Sequence, residues 1–307
     1  MKSKEEIYYR YPVFRPPSEA HSLLIQVTEG CTYKCDFCVS NIGKKFFIRD
    51  LIDIKKDLDI AKQIYGSKVR RIFFLDGNAM VTPTEKLLEI TRYAYKIFPH
   101  LERCSAYAHA KDILKKDRNQ LKALSDAGFK LVYVGFESGD DEILKKVHKQ
   151  ATKKDYIDAS KKLIKANITL SATFINGISG ADDSELSKKH ASESADLVNK
   201  ICPEDDRVWY IAFLTLMVPS GTEIFKKKIK GGFREMNSTQ ILEELKTFIS
   251  LIEFRNHEAN LVFRSNHASN YLPLKGILDR DKYKILDVIN YGLTHTDVLR
   301  PDYYRGL

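Results

Sequence analysis

Residues Cys31-Thr32-Tyr33-Lys34-Cys35-Asp36-Phe37-Cys38 hold three of the chain's five cysteines, with three and then two residues between them. Such spacing lets one loop wrap a single metal centre with three thiolates, and it supplies no fourth. A four-iron cluster held this way keeps one iron free of protein and open to a small ligand.

Other readings of the three thiols are weaker. A disulfide pair leaves an odd cysteine. Nothing at Met1 to Arg10 has the apolar core of a signal peptide, so a reducing compartment, the cytoplasm, is the expected location. Structural zinc takes four protein ligands, often as two separated pairs. Here Cys104 and Cys202 stand alone and far apart, and the nearest histidine, His21, lies upstream beyond an expected strand. Zinc therefore stays open only as a minority reading of a short motif.

The segment resembles the cluster loop of the radical S-adenosylmethionine (SAM) enzymes, whose signature is three cysteines at this spacing with an aromatic before the third. Phe37 fills that position. The resemblance implies a [4Fe-4S] cluster on Cys31, Cys35 and Cys38, with SAM chelating the open iron. It further implies reductive cleavage of SAM to a 5′-deoxyadenosyl radical, anaerobic chemistry, and an electron donor such as flavodoxin or ferredoxin.

Length and composition set the bounds. A chain of 307 residues suits one large domain or a domain with an appendage, and 43% hydrophobic content is enough for a substantial core. No apolar run approaches the ~20 residues that span a bilayer, so no membrane association is expected. The formal charge of +9 comes from lysines such as Lys115-Lys116, Lys161-Lys162 and Lys226-Lys227-Lys228, most of them on the polar faces of expected helices. That charge permits a nucleic-acid partner without demanding one, and no arginine-aromatic strip for gripping single strands is present.

Along the chain, strands alternate with helices. Residues 1–20, broken by Pro12, Pro16 and Pro17, read as an irregular arm. Expected strands are 22–27, 69–75, 103–108, 131–136, 169–175 and 208–216. Helices are expected at 50–65, from a capping box at Thr82-Pro83-Thr84-Glu85 to about 98, and at 119–127, 154–165 and 182–200. Repeated βαβ units of these lengths predict an α/β fold with a parallel sheet. By itself the pattern fits an open doubly wound sheet as well as a barrel. The resemblance favours a partial (β/α)6 barrel over 21–222, with a C-terminal α-rich extension, 223–307, closing it. Helices are expected there at 239–258 and 279–291.

The resemblance also places the cofactor-binding residues at strand ends, the face where parallel barrels carry their chemistry. Phe37 would cover adenine. Asp76-Gly77-Asn78 sits where the family's glycine-rich turn accepts the methionyl ammonium, with one glycine in place of two. Gly135-Phe136-Glu137-Ser138-Gly139-Asp140 resembles the corresponding strand end of the coproporphyrinogen-oxidase and Elongator-type subgroup, so Glu137 and Ser138 would face SAM. Lys149, twelve residues after Glu137, stands where that subgroup has an arginine for the SAM carboxylate. Lysine offers a point charge in place of a bidentate fork. Tyr107, Thr173, Gly177 and Met217 complete the expected SAM contacts.

On the substrate side, His109 follows strand three, and His267 and Asn270 lie in a hydrogen-bond-rich segment, Arg264 to Tyr271. With only Cys104 and Cys202 left, a conventional second four-iron cluster is not expected. The leading expectation is a radical SAM enzyme acting on a small molecule. An RNA-modifying radical SAM enzyme and a non-catalytic iron–sulfur or zinc protein are the alternatives.

Overall fold

The computed structural model describes residues 6–203, 205–254 and 260–306. The chain forms two compact units: Met1–Thr32, Ser40–Val134 and Lys161–Leu170 in one, and Tyr33–Val39, Gly135–Ser160 and Ser171–Leu307 in the other.

The first unit carries β1 (Leu23–Gln26), β2 (Thr28–Glu29), β3 (Phe47–Ile48), α1 (Leu51–Tyr65), β4 (Arg71–Leu75), α2 (Thr84–Ile97), β5 (Arg103–Ala108), α3 (Ala110–Lys115), α4 (Arg118–Asp126) and most of β6 (Phe129–Glu137). Strands β1, β4, β5 and β6 pair in that order, all parallel. β2 and β3 form a separate antiparallel pair that brackets the cysteine loop in sequence. In α1, Ile54, Leu58 and Ala61 recur at helical spacing and are fully buried, while Asp53 and Lys56 face solvent. Removing Ile54 or Leu58 from water contributes roughly 1.5–3 kcal/mol each, and the Ala61 methyl less. Ile72, Phe73 and Phe74 of β4 are likewise fully buried.

The expected capping box before α2 does not form. The helix starts at Thr84 with Pro83 at its cap and no side-chain cap bond. Thr82, the intended cap, turns inward and its hydroxyl is buried without a partner. A capping box does form at α4, where Asp117 and Gln120 bond each other's backbone amides.

The second unit carries α5 (Asp141–Lys146), most of α6 (Lys153–Ala166) and β7 (Thr169–Asn176), and then α7 (Ser184–Ile201), β8 (Val208–Thr215), α8 (Glu223–Ile229), α9 (Ser238–Ser250), β9 (Asn260–Ser265), β10 (Leu274–Ile277) and α10 (Leu278–Thr294). β7, β8 and β9 are parallel neighbours, and β10 returns antiparallel along β9. An aromatic seam ties strands to helix. Phe174 of β7 stacks on Phe213 of β8 at 5.1 Å, and Phe213 packs against Phe248 of α9 at 4.4 Å.

The sequence reading assigns no strand beyond residue 216, whereas the C-terminal segment adds β9 and β10 to its helices. α9 ends at Ser250, short of the expected 258. Lys282 donates to the carbonyls of Ser250 and Ile252 there, satisfying groups that a continuing helix would have used. Residues 255–258 of that expected helix lie outside the described residues.

Candidate active site

The three loop cysteines form no disulfide and are partly exposed, unlike Cys104, which is fully buried. Burial pushes the Cys104 thiol well up and leaves it unreactive. The loop thiols are the ones placed to take metal.

In the first unit, β4 delivers Asp76-Gly77-Asn78 to Cys31. Asp76 is buried; it accepts from Lys44 Nζ at 2.8 Å and from the Gly30 amide at 3.3 Å. Burial raises its carboxyl above the usual range, and Lys44 opposes that rise. Gly77 is where the turn meets the loop. A Cβ there would lie 2.7 Å from the Asn41 amide nitrogen and 3.0 Å from Cys31 Cβ. The Asn41 side chain could swing away, but Cys31 Cβ leaves little room for a side chain at 77, and glycine permits the close approach.

Asn78 bridges two elements, donating to Asp112 at 2.6 Å and accepting from the His109 amide at 3.1 Å. His109 is buried and caps α3, its Nδ1 accepting from Lys111 N at 3.3 Å. That bond places the ring proton of the neutral form on Nε2. Tyr107, half-buried, packs edge-on against Phe73 at 5.0 Å.

In the second unit, Phe37 packs on an apolar cluster that includes Val147, Ile178, Leu216 and Ile224. Lys149 Nζ lies 2.8 Å from Glu137 Oε1, both side chains less than a tenth exposed. Glu137 holds a left-handed backbone, φ 62°. Such a conformation costs a non-glycine residue about 1–3 kcal/mol and persists only when its surroundings enforce it. Burial alone would lower the Lys149 ammonium, but the Glu137 carboxylate, then Cys35 and Tyr156, outweigh it and hold the lysine protonated.

Ser138 is fully buried. Its hydroxyl pairs with His190 Nδ1 at 2.8 Å and accepts from the Asp140 amide, so it is committed within the protein. The Gly177 amide donates to Glu244 Oε1 at 2.7 Å. Thr173 is half-buried on β7. Met217 Sδ receives Arg305 Nη2 at 3.3 Å. Asn270 spends both ends of its amide on β8, at Thr215 Oγ1 (3.0 Å) and the Phe213 carbonyl (2.8 Å). His267 is half-buried, with Nδ1 against Ser269.

Sequence reasoning passed over Asp36, His190 and Glu244. Glu244 accepts from Gly177 and Ser187, and its Oε1 lies 3.6 Å from His190 Nε2. These partners are scattered along the chain and carry no local pattern.

A [4Fe-4S] cluster fits this donor set: three thiols outside any disulfide on one loop, partly open, with the glycine turn against Cys31. Among the described residues, no three His, Cys, Asp or Glu side chains gather as they would around one metal ion. In a four-iron cluster each thiolate takes a different iron.

The radical SAM superfamily model matches residues 25–188, more than half of the chain. The chain belongs to the radical SAM superfamily. That superfamily uses a [4Fe-4S] cluster and SAM. No curated protein matches the sequence.

Solved radical SAM structures share the fold. Methylornithine synthase superposes with a TM-score of 0.52 at 14% identity, over 90% of this chain and 81% of that one. Coproporphyrinogen III oxidase from Escherichia coli gives 0.55 at 14% identity, over 75% and 51%. A radical SAM methyltransferase from Kitasatospora setae, solved with cobalamin and a [4Fe-4S] cluster, gives 0.55 at 17% identity, over 76% and 46%. The chain spans about half the length of the last two. The α/β architecture with parallel strands is thus that of the radical SAM partial barrels. Among the described residues no helix is long and apolar enough to cross a membrane.

Proposed function

We propose that this radical SAM protein is an enzyme that abstracts hydrogen from a small-molecule substrate in the cytoplasm, drawing electrons from a flavodoxin or ferredoxin. The proposed organisation is an arm over 1–20, the catalytic barrel over 21–222 and a C-terminal segment over 223–307 that completes the substrate side. When bound, the cluster and SAM supply a 5′-deoxyadenosyl radical.

The chain's own residues then have distinct tasks. Cys31, Cys35 and Cys38 hold the cluster. Backbone oxygens of the Asp76–Asn78 turn take the methionyl ammonium. Lys149, kept cationic by Glu137, takes the SAM carboxylate as a point charge. Phe37, Thr173, Gly177 and Met217 line the adenosine. On the substrate side, His109 and His267 would donate or shuttle a proton, and Asn270 serves by fixing the His267 loop on β8.

The observation that supports this reading is the approach of Gly77 to Cys31: a Cβ at position 77 would lie 3.0 Å from Cys31 Cβ, so the turn proposed for the ammonium lies beside a proposed cluster ligand. Reduced, reconstituted protein given SAM should release 5′-deoxyadenosine, and Cys35→Ala protein should release none. Absence of 5′-deoxyadenosine from protein with a full, reducible cluster contradicts the proposal.

A further inference from the structure

Asp36, between the second and third cysteines, is anchored through both its backbone and its side chain. Its amide donates to the Val147 carbonyl at 3.0 Å, and its own carbonyl accepts from the Ile224 amide at 3.0 Å. Its side chain is buried, with Oδ1 at 2.7 Å from His148 Nδ1 and Oδ2 at 2.6 Å from Lys227 Nζ. Lys227 also donates to the Lys146 carbonyl at 3.2 Å. The loop is thus pinned from two directions, by the end of α5 and by the first turns of α8. Lys227 lies 191 residues from Asp36 in sequence. His148 and Lys227 stay about half-exposed or more, while Asp36 does not.

A buried carboxylate beside two cluster ligands is costly for a centre that must accept an electron. Reduction adds negative charge, and in a low-dielectric setting a nearby anion opposes it. The Lys227 ammonium offsets that charge, and the two nitrogen groups together fix the carboxylate's position.

We propose that Asp36, His148 and Lys227 form a charge clamp that positions the cluster loop and sets how readily the cluster is reduced, with Asp36 a positioning residue and Lys227 its neutralising partner. This rests on the [4Fe-4S] reading of the cysteine loop. The clamp makes the segment after β8 part of the cluster's environment, so α8 acts on the metal centre without supplying a ligand.

The clamp predicts shifts of opposite sign from its two halves. Asp36→Asn removes the anion and leaves Lys227 in excess, so the cluster potential rises. Lys227→Met leaves the Asp36 charge less compensated, so the potential falls. The double variant returns close to the parent value. The measurement is redox titration of the reconstituted whole chain, followed by the signal of the reduced cluster.

A second readout needs no iron. Hydrogen exchange of the Asp36 amide in metal-free protein should quicken roughly tenfold in Lys227→Met, as expected for one lost charge-assisted hydrogen bond. Single variants whose potentials move in the same direction, or do not move, overturn the electrostatic role. Unchanged exchange overturns the positioning role. Quickened exchange in a chain that binds no iron would sustain the clamp while removing the cluster reading, so the two failures are told apart. If Asp36→Asn does not fold, Lys227→Met alone decides through the sign of its shift.

Discussion

Lys149 and Glu137 form a buried ion pair, Nζ to Oε1 at 2.8 Å, with side-chain exposures of 9% and 8%. Breaking such a pair leaves one uncompensated charge in the interior, at about 3–5 kcal/mol. Lys149→Met should therefore lower unfolding stability by an amount in that range, measured by denaturant titration of metal-free protein. The same substitution should weaken SAM binding by about 1.5–3 kcal/mol, the value of a charge-assisted hydrogen bond. Calorimetry on the folded, reconstituted variant reads the second effect. Lost stability with unchanged SAM affinity would leave Lys149 a purely structural partner of Glu137.

Gly139 offers a sharper structural test. A Cβ there would fall 2.2 Å from the Glu193 carbonyl oxygen and 2.6 Å from the Ser194 amide nitrogen, both backbone atoms of α7. The Gly139 amide also donates to Ser194 Oγ at 2.9 Å. Gly139→Ala must push α7 away from the end of β6, which overpacking places at about 1–3 kcal/mol or more. A fall in melting temperature of several degrees is expected. An unchanged melting temperature would mean that α7 does not press on this turn.

His267 gives the chain a pH-sensitive contribution. Burial, then the Arg300 guanidinium, push its imidazole below the usual 6.5. The folded protein thus favours the neutral ring, and the unfolded chain takes up the proton first. The associated stability is fully present above pH ~6.5 and is lost as pH falls toward the lower folded value. Urea titrations of metal-free protein between pH 8 and 5 should show a shallower decline in His267→Gln than in the parent. Parallel curves would contradict the assignment.

The alternation of strand and helix was legible because each parallel strand is a short apolar run, such as Ile72-Phe73-Phe74, and each helix repeats its apolar positions at three to four residues. The cysteine loop was legible because its chemistry is local. The strands β9 and β10 were not. The apolar part of β9 is only Leu261-Val262-Phe263, and its pairing with β8 is a tertiary event. The Thr82 box failed because Pro83 takes the cap position and a buried environment takes Thr82.

Among site residues, Glu137 and Lys149 read in the sequence as separate SAM contacts, and their ion pair with each other appears only in the folded chain; the partners of Ser138 and Asp36 come from 52 and 191 residues away. Ser138 was expected to face SAM, yet its hydroxyl spends its bonds on His190 and Asp140, a choice that only the packing of α7 reveals.

The central claim is that Cys31, Cys35 and Cys38 hold a four-iron cluster with one iron open to SAM. Anaerobic reconstitution followed by iron and sulfide analysis, with Mössbauer spectra before and after SAM, tests it most directly. The account predicts about four irons and four sulfides per chain, with one iron site alone changing when SAM is added. It also predicts that Cys31→Ala, Cys35→Ala or Cys38→Ala abolishes the cluster, while Cys104→Ala and Cys202→Ala retain it. Stoichiometric zinc without iron, or a full cluster whose spectrum does not respond to SAM, would contradict it.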